Sequence, residues 1–316
     1  MIVRDFIFWL STKKKVTDAI ARRGIKNGFA LRFIAGEKIE DAIRACQELN
    51  REGRRISLNH LGENVTTVEE ASNVRDGYVE MVRELDRCGI DGNISVKLTQ
   101  LGLDVKPGGR ELCQQLTDEI LAQATRLGRD IEIDMEGSPY TDATLDIFEA
   151  VRRKRENAGL AIQAYLYRSE KDIERLAPLH PKIRLVKGAY REPRSIAYQK
   201  KLDVDASYCR LLDELLDGRF VTAIATHDSA MLDHARKRIA ERGLGHDKYE
   251  FQMIYGIRRD LQQEIREQGH PLRIYVPYGT EWCPYFMRRL SERPANCWFV
   301  VKNLMAEIFT GNGSKR

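Results

Sequence analysis

Eight short runs rich in β-branched and other apolar residues recur along the 316-residue chain, each followed by a longer amphipathic pattern. The predicted strands are 55–59, 93–98, 131–134, 161–166, 183–186, 220–226, 249–254 and 273–276. Polar or glycine-containing segments bound each run, which is typical of parallel strands buried inside an α/β protein. Eight strands alternating with helices predict a closed (β/α)8 TIM-type barrel, with an open doubly wound sheet as the alternative.

Two of the intervening helices are well marked in the sequence. Apolar residues between 39 and 49 repeat with a helical period, and this helix is expected to end at Gly53. Thr67 and Glu70 form the pattern of a capping box, and Val68 begins the apolar stripe of the helix that follows. The motif G-x-G-x-x-G follows none of the strands, so a Rossmann-type dinucleotide site is not expected.

The length of the chain fits one barrel, and no Pro- or Ser-rich linker divides it. We expect a single domain over residues 1–316, with residues 1–25 forming additional N-terminal helices of undefined placement. The apolar run at 6–10 is too short for a signal-peptide core and is followed by three lysines. The cytoplasm is therefore the expected compartment, and a peripheral contact with the inner face of the cell membrane stays open.

Composition argues against several classes of site. The six cysteines include no C-x-x-C pair, so reduced thiols are expected rather than disulfides or a zinc site. The net charge of +5 is small beside 52 basic and 47 acidic residues, and the basic run at 152–155 is typical of a solvated helix end. Nucleic acid is therefore not an expected partner, and the oligomeric state is left open.

Polar side chains gather at the carboxyl ends of the predicted strands, where barrels carry their chemistry. These residues are Lys97, Asp134, Glu136, Gln163, Tyr165, Arg184, Lys187, Thr226, His227, Asp228, Gln252, Tyr275 and Tyr278. A charged residue in a buried strand must be paired or functional, because an isolated buried charge is costly. Their recurrence at matching positions of seven strands predicts a polar pocket.

A second constellation lies on the last predicted helix. Tyr285, Arg288, Arg289 and Glu292 are spaced so that all four fall on one side of that helix. Two neighbouring guanidinium groups suit a carboxylate ligand, which they can hold with charge-assisted hydrogen bonds. An exposed ladder of salt bridges is the alternative interpretation.

Two other chemistries are compatible with these residues. His227 with Asp134 and Glu136 resembles part of a metal-hydrolase site, but barrel hydrolases need several histidines at strand ends, so no metal is expected. Lys97 is a candidate for a Schiff base of the aldolase type, since burial lowers the pKa of a lysine.

In this order and at these strand ends, the motifs resemble those of the proline dehydrogenase family, in its compact monofunctional bacterial form. The resemblance runs from about residue 32 to the C-terminus, through the segments 32–37, 61–63, 95–98, 134–136, 184–190, 225–228, 251–252, 275–279 and 285–289. It implies an FAD-containing barrel that oxidises L-proline to Δ1-pyrroline-5-carboxylate, the first step of proline catabolism. Hydride would pass to flavin N5 and the electrons to a membrane quinone.

The resemblance also implies roles for individual residues. Arg288 and Arg289 would bind the proline carboxylate together with Lys97, while Tyr275 and Tyr285 would pack on the proline ring. The remaining roles concern the charge network and the cofactor: Asp134 would orient the network, Arg184 would lie beside flavin N5, and the other FAD contacts would be Met135, Gln163, Lys187, Gly188, Ala189, Thr226, His227 and Gln252.

One further implied feature is a gate. Glu63 would ion-pair with Arg289 when substrate is held, but Asn59 stands where many members carry an aspartate. Tyr275 matches the members that oxidise proline rather than hydroxyproline. The alternatives are another flavin barrel, such as methylenetetrahydrofolate reductase, and a non-catalytic barrel that senses an amino acid.

Overall fold

The chain alternates strands and helices in a computed structural model, which describes residues 30–62, 64–217, 219–282 and 285. The strands are β1 (Arg55–His60), β2 (Gly92–Val96), β3 (Ile131–Ile133), β4 (Ala158–Gln163), β5 (Lys182–Val186), β6 (Val221–Ala225), β7 (Tyr249–Ile254) and β8 (Leu272–Tyr278). The helices of the described ranges are α1 (Ile39–Arg51), α2 (Val68–Arg87), α3 (Gly109–Arg126), α4 (Thr141–Arg152), α5 (Ser169–Leu176), α6 (Lys201–Leu215), α7 (Ser229–Arg242) and α8 (Arg259–Glu267).

The eight strands form one closed sheet in chain order, and every neighbouring pair is parallel. Closure is made between β1 and β8, whose register runs from Arg55 opposite Arg273 to His60 opposite Tyr278. The predicted TIM-type barrel is therefore confirmed, and the open doubly wound sheet is excluded.

The two faces of the strands differ in chemistry. Strand residues that alternate with the lumen positions pack outward against the helices, and they are apolar and fully buried, as with Ile56, Leu58 and Leu185. The lumen positions between them are largely polar, as with Ser57, Ser95 and Arg184. Barrels of this type usually fill the lumen with branched aliphatic side chains. Here the hydrophobic core lies between sheet and helices, and the lumen is built from polar groups.

All eight predicted strands are present, but β4 lies three residues earlier than predicted. Gly159, which lies before the predicted strand, is a strand residue paired with Lys182 on β5. A Cβ at Gly159 would lie 3.3 Å from Glu132 Cγ and 3.3 Å from the Lys182 carbonyl oxygen. The glycine is thus closely packed inside the barrel.

The predicted helix boundaries are confirmed by their caps. At the start of α2, Thr67 Oγ1 accepts from the Glu70 N–H at 3.2 Å, and Glu70 Oε2 accepts from the Thr67 N–H at 3.2 Å. The chain leaves α1 and α2 through left-handed Gly53 and Gly89. Val68, predicted to begin the apolar stripe of α2, is 55% exposed, and the buried residues of this helix start at Ala71.

The helical assignment of residues 1–25 falls outside the described residues. Within the described ranges, none of the helices is both long and apolar enough to span a bilayer.

Candidate active site

Asp134 is the centre of the polar cluster at the carboxyl ends of the strands. It follows β3 and accepts hydrogen bonds at Oδ1 from Ser95 Oγ (2.7 Å) and Arg184 Nη1 (2.6 Å). Its Oδ2 accepts from Lys97 Nζ (2.7 Å) and from the Tyr275 hydroxyl (2.9 Å). Four of the residues predicted for the site therefore meet directly: Lys97 and Asp134 follow β2 and β3, and Arg184 and Tyr275 lie on β5 and β8.

Arg184 forms the floor of this cluster. It lies on β5 and is 4% exposed. Its Nε donates to Gln252 Oε1 at 2.6 Å, its Nη2 donates to Ser57 Oγ at 3.2 Å, and its Nη1 also reaches Ser95 Oγ at 2.9 Å. Because β5 and β1 are not neighbouring strands, the contact with Ser57 shows that the guanidinium group crosses the lumen. Its cation also lies 5.4 Å from the centroid of the Tyr275 ring.

Arg184 belongs to a continuous line of ion pairs through the barrel, which we call the lumen charge chain. From the mouth to the amino end of the barrel, its members are Lys97, Asp134, Arg184, Glu132, Lys182, Glu250 and Arg273. Successive members alternate in sign, and the N–O separations are 2.6–2.9 Å apart from the contact of Arg184 with Glu132, which is also an ion pair. Alternation gives each buried charge an opposite neighbour, which offsets its desolvation.

The lumen charge chain changes the pKa values of its members. Burial alone would lower the pKa of Lys97, but the negative charge of Asp134 outweighs it and raises that pKa to about 12. Burial lowers the pKa of Arg184 to about 10, so this group stays cationic at neutral pH. Burial raises the pKa of Tyr275 well above its ordinary value, and nearby Asp134 adds to the rise. The Tyr275 phenol therefore keeps its proton and acts as a donor to Asp134.

Gln252 connects the site to the deeper part of the lumen. It is 4% exposed, and its Nε2 donates to Glu250 Oε1 at 2.6 Å. Since a carboxylate only accepts, this bond turns the amide oxygen of Gln252 toward Arg184. Both ends of the amide are therefore engaged within the lumen.

The other residues predicted to touch a cofactor lie along the carboxyl ends of β3 to β6. Met135 is buried, and Gln163 Nε2 donates to the Glu136 carbonyl oxygen at 2.9 Å. Thr226 Oγ1 accepts from the Asp228 N–H at 3.2 Å. His227 Nε2 accepts from the Ile254 N–H at 2.9 Å, which ties the end of β6 to β7 and leaves the ring proton of the neutral histidine on Nδ1.

The end of β5 has an unusual backbone. Gly188 has φ of +112°, and a Cβ there would lie 2.3 Å from Tyr165 Cδ1. Only glycine fits this position, and half-buried Ala189 follows it. Just before it, Lys187 Nζ donates to Asp228 Oδ2 at 2.8 Å and to Asp205, which anchors the segment to α6 and α7.

Not every predicted site residue can be placed. Tyr285 is buried and close enough to Tyr275 to affect its pKa. Arg288, Arg289 and the gate candidate Glu63 fall outside the described residues. Asn59 is fully buried on β1, and its Nδ2 donates to the Ser95 carbonyl oxygen at 3.1 Å.

Four members of the lumen charge chain were not predicted: Glu132, Lys182, Glu250 and Arg273. Each stands two residues before a residue that was predicted, namely Asp134, Arg184, Gln252 and Tyr275. Side chains alternate along a strand, so residues i and i−2 share a face. Applying that rule to each predicted site residue would have found all four.

The alternative chemistries gain no support from this geometry. Lys97 pairs with Asp134 at 2.7 Å and has a raised pKa, whereas a Schiff-base lysine needs a neutral amine. Among the described residues, no group of three or more histidine, cysteine, aspartate or glutamate side chains is arranged so that it could hold a metal ion.

Comparison with known proteins assigns this chain to a family. The family model described as proline dehydrogenase matches residues 42–302. Proline dehydrogenase 2 of Bacillus subtilis (strain 168) is 38% identical over 305 residues, which are 96% of this chain and 99% of that protein. A proline dehydrogenase of Deinococcus radiodurans is 39% identical over 290 residues, covering 91% of this chain and 93% of that protein.

Solved structures agree with the fold. Proline utilization A (PutA) from Bdellovibrio bacteriovorus, inactivated by N-propargylglycine, superimposes with a TM-score of 0.81 at 22% identity. The match covers 98% of this chain and 40% of that chain. A mutant of Bradyrhizobium japonicum PutA gives a TM-score of 0.69 at 24% identity, covering 85% and 31% of the two chains. The present chain thus spans less than half the length of these structures.

Proposed function

Because this chain belongs to the proline dehydrogenase family and is accordingly an oxidoreductase that acts on proline, we propose that it oxidises L-proline to Δ1-pyrroline-5-carboxylate with a bound FAD. The observation that carries the proposal is the cluster of Lys97, Asp134, Arg184 and Tyr275 at the mouth of the barrel. It combines fixed cations with a protonated phenol, in a place where a small amino acid can meet a cofactor.

The donor set at the mouth fits a flavin. An isoalloxazine ring presents carbonyl and ring-nitrogen acceptors and gains negative charge on reduction, and its phosphates are anionic. The ends of β4 to β6 offer the amide of Gln163, the ammonium group of Lys187, the hydroxyl of Thr226 and the backbone at Gly188, with Arg184 as the cation below. Arg184 keeps its positive charge at neutral pH. These residues would hold the cofactor, with Met135, Ala189, His227 and Gln252 around them.

Bound FAD supplies an acceptor for two electrons, which leave the proline carbon beside nitrogen as hydride. This chain's residues orient the substrate for that loss. Lys97, held protonated by Asp134, attracts the proline carboxylate, and Arg288 and Arg289 complete the carboxylate site by resemblance to the family. Tyr275 and Tyr285 form an aromatic wall for the proline ring. Binding energy from the carboxylate is thereby used to fix the reacting carbon.

The electrostatics of the cluster suit this reaction. Hydride loss needs a neutral amine, and a C=N bond forms as the amine nitrogen shares its lone pair. Arg184 stabilises the negative charge that develops on the cofactor. Tyr275 keeps its proton and donates to Asp134, whose carboxylate accepts from four donors in all.

Anaerobic titration with L-proline tests the proposal. We expect a yellow holoprotein whose flavin absorbance is bleached by L-proline, with a rate that increases as pH rises from about 6 to about 8 because the amine must be neutral. Hydroxyproline should reduce the flavin less readily, since Tyr275 resembles the residue of the family members that oxidise proline rather than hydroxyproline. A protein that cannot bind FAD, or whose bound FAD stays oxidised in excess proline, would contradict the proposal.

We propose a quinone as the electron acceptor, in keeping with the family resemblance. A short-chain ubiquinone analogue should reoxidise the proline-reduced enzyme, whereas NAD+ should not, because no G-x-G-x-x-G motif follows a strand. Reoxidation by NAD+ alone would overturn this assignment. Delivery to a lipid-soluble quinone would bring the cytoplasmic enzyme to the inner membrane surface, and sedimentation with lipid vesicles tests that contact.

A further inference from the structure

The lumen charge chain gives Arg184 two carboxylate partners with different surroundings. Asp134 lies at the mouth and is shared with Lys97, Ser95 and Tyr275. Glu132 lies below, is 1% exposed, and contacts Arg184 and Lys182. The mechanism above uses Asp134 but leaves Glu132 without a role.

A buried carboxylate below Arg184 weakens the positive field that Arg184 exerts toward the mouth. Glu132 is itself partly neutralised by Lys182, whose Nζ lies 2.9 Å from Glu132 Oε1 and 2.8 Å from Glu250 Oε1. The charge that remains on Glu132 for Arg184 is therefore set by Lys182. In a lumen of low effective dielectric, such neighbouring charges act strongly on one another.

Resting on the proposed function, we infer that Glu132 is a positioning residue that acts through Arg184: its negative charge, paired with the guanidinium group inside the lumen, lowers the reduction potential of flavin bound at the mouth. Lys182 opposes this effect by drawing Glu132 away from Arg184. The potential is thus adjusted by two residues that touch neither substrate nor cofactor.

Arg184 has enough other partners to stay in place when Glu132 loses its charge. Ser57, Ser95, Asp134 and Gln252 still accept its hydrogen bonds, at 2.6–3.2 Å. In Glu132→Gln the amide oxygen also remains available as an acceptor. The substitution therefore removes a negative charge from below Arg184 without removing Arg184 from the mouth.

The test is the reduction potential of the flavin in four variants of the holoprotein, measured by anaerobic titration against a reference dye. In Glu132→Gln the equilibrium should shift toward reduced flavin by about tenfold, which is ~30 mV for a two-electron couple. A tenfold shift is the size expected of one unit charge acting over roughly 10 Å at an effective dielectric of about 20. In Lys182→Met the equilibrium should shift in the opposite direction, because Glu132 then pairs with Arg184 alone.

Glu250→Gln is the matched control. Glu250 is equally buried and also contacts Lys182, but its arginine partner is Arg273, bound at 2.7 Å and 3.0 Å. Arg184 keeps both of its carboxylates in this variant, and Gln252 Nε2 keeps Glu132 Oε1 as an acceptor at 3.3 Å, so the shift should be smaller than that in Glu132→Gln. Glu132→Asp, which retains the charge, should remain close to the wild-type potential.

The outcomes separate this inference from the proposed function. If wild-type protein binds no flavin or is not reduced by proline, the proposed function fails. If wild-type protein is reduced but Glu132→Gln has an unchanged or lower potential, the inference is wrong. Shifts of the same sign in Glu132→Gln and Lys182→Met would indicate a general loss of packing. Equal shifts in Glu132→Gln and Glu250→Gln would indicate that lumen charges act on the flavin directly through space rather than through Arg184. Either result overturns the role of Glu132. If Glu132→Gln does not fold, Lys182→Met decides the matter: a lower reduction potential supports the inference, and an unchanged or higher potential overturns it.

Discussion

Asp134→Asn isolates the energetic contribution of the carboxylate at the centre of the site. The carboxylate accepts from Ser95, Lys97, Arg184 and Tyr275 at 2.6–2.9 Å. An amide offers a single acceptor oxygen and turns N–H groups toward donors, and it leaves two cations without their shared anion. Breaking a buried ion pair by removing one partner costs about 3–5 kcal/mol, so we expect a loss of that size in the free energy of unfolding.

Urea denaturation at pH 7, monitored by circular dichroism, measures this loss as a lower midpoint at unchanged slope. Asp172→Asn is the matched control, since Asp172 is also a buried carboxylate but binds only Arg168, at 2.8 Å and 3.1 Å. Arg168 is 38% exposed, and water can replace the lost partner, so this variant should lose about 1 kcal/mol. A loss in Asp134→Asn no greater than in Asp172→Asn would refute the reasoning.

The same pair of proteins makes a prediction about pH. The folded-state pKa of Lys97 is raised from 10.5 to about 12, so its contribution to stability is complete below 10.5 and is lost as pH rises through 12. In Asp134→Asn, burial dominates and this contribution is absent. The difference in unfolding free energy between wild type and variant should therefore narrow between those two pH values. A constant difference across that window would contradict the assignment of Asp134 as the cause.

Three further predictions follow from individual contacts. Thr67→Ala removes the Oγ1 acceptor of the capping box and should cost about 1 kcal/mol in urea denaturation; no loss would mean that the cap adds nothing to α2. The pKa of Asp228 is lowered from 3.8 to about 2, because its bonds to Lys187 and Lys201 outweigh the effect of burial. Its contribution of about 2 kcal/mol to the free energy of unfolding is therefore present above pH 3.8 and is lost as pH falls toward 2. The unfolding free energies of wild type and Asp228→Asn should converge over that range, and a constant difference would exclude the shift. Gly188→Ala forces a Cβ against Tyr165 and should weaken FAD binding at least tenfold in a fluorescence titration. Gly89→Ala is the control, because Gly89 also has a positive φ of +61° but no atom lies within 4 Å of its Cβ position, so this variant should bind FAD normally. Equal binding by both variants would remove Gly188 from the site.

The sequence predicted the architecture because the strand and helix signals agree with one another. The stripe of α2 and its capping box are local patterns, and neither depends on distant parts of the chain. The exception is β4, whose predicted bounds lie three residues late. Gly159 in this strand packs against Glu132, a residue 27 positions away in sequence that is its neighbour only in the closed barrel.

The cluster at the mouth was predicted, whereas the deeper members of the lumen charge chain were missed. Lys97 and Asp134 follow β2 and β3, Arg184 and Tyr275 lie within β5 and β8, and the four meet in one cluster. The partners of Arg184 within the lumen depend on which side chains reach across the barrel, and strand order alone does not give that. The contact between Arg184 on β5 and Ser57 on β1 is such a case, since 127 residues separate the two in sequence.

An interior of alternating charges also changes how the fold responds to heat. Unfolding exposes polar surface that lowers the heat capacity change, whereas a lumen of aliphatic side chains would raise it. Hydration of ions also becomes less favourable as temperature rises, so the free-energy cost of desolvating Glu132, Glu250 and Arg273 falls on warming. The free energy of unfolding should consequently vary more gently with temperature than in a barrel of equal size whose lumen holds aliphatic side chains. Scanning calorimetry would register this as a smaller heat capacity change on unfolding.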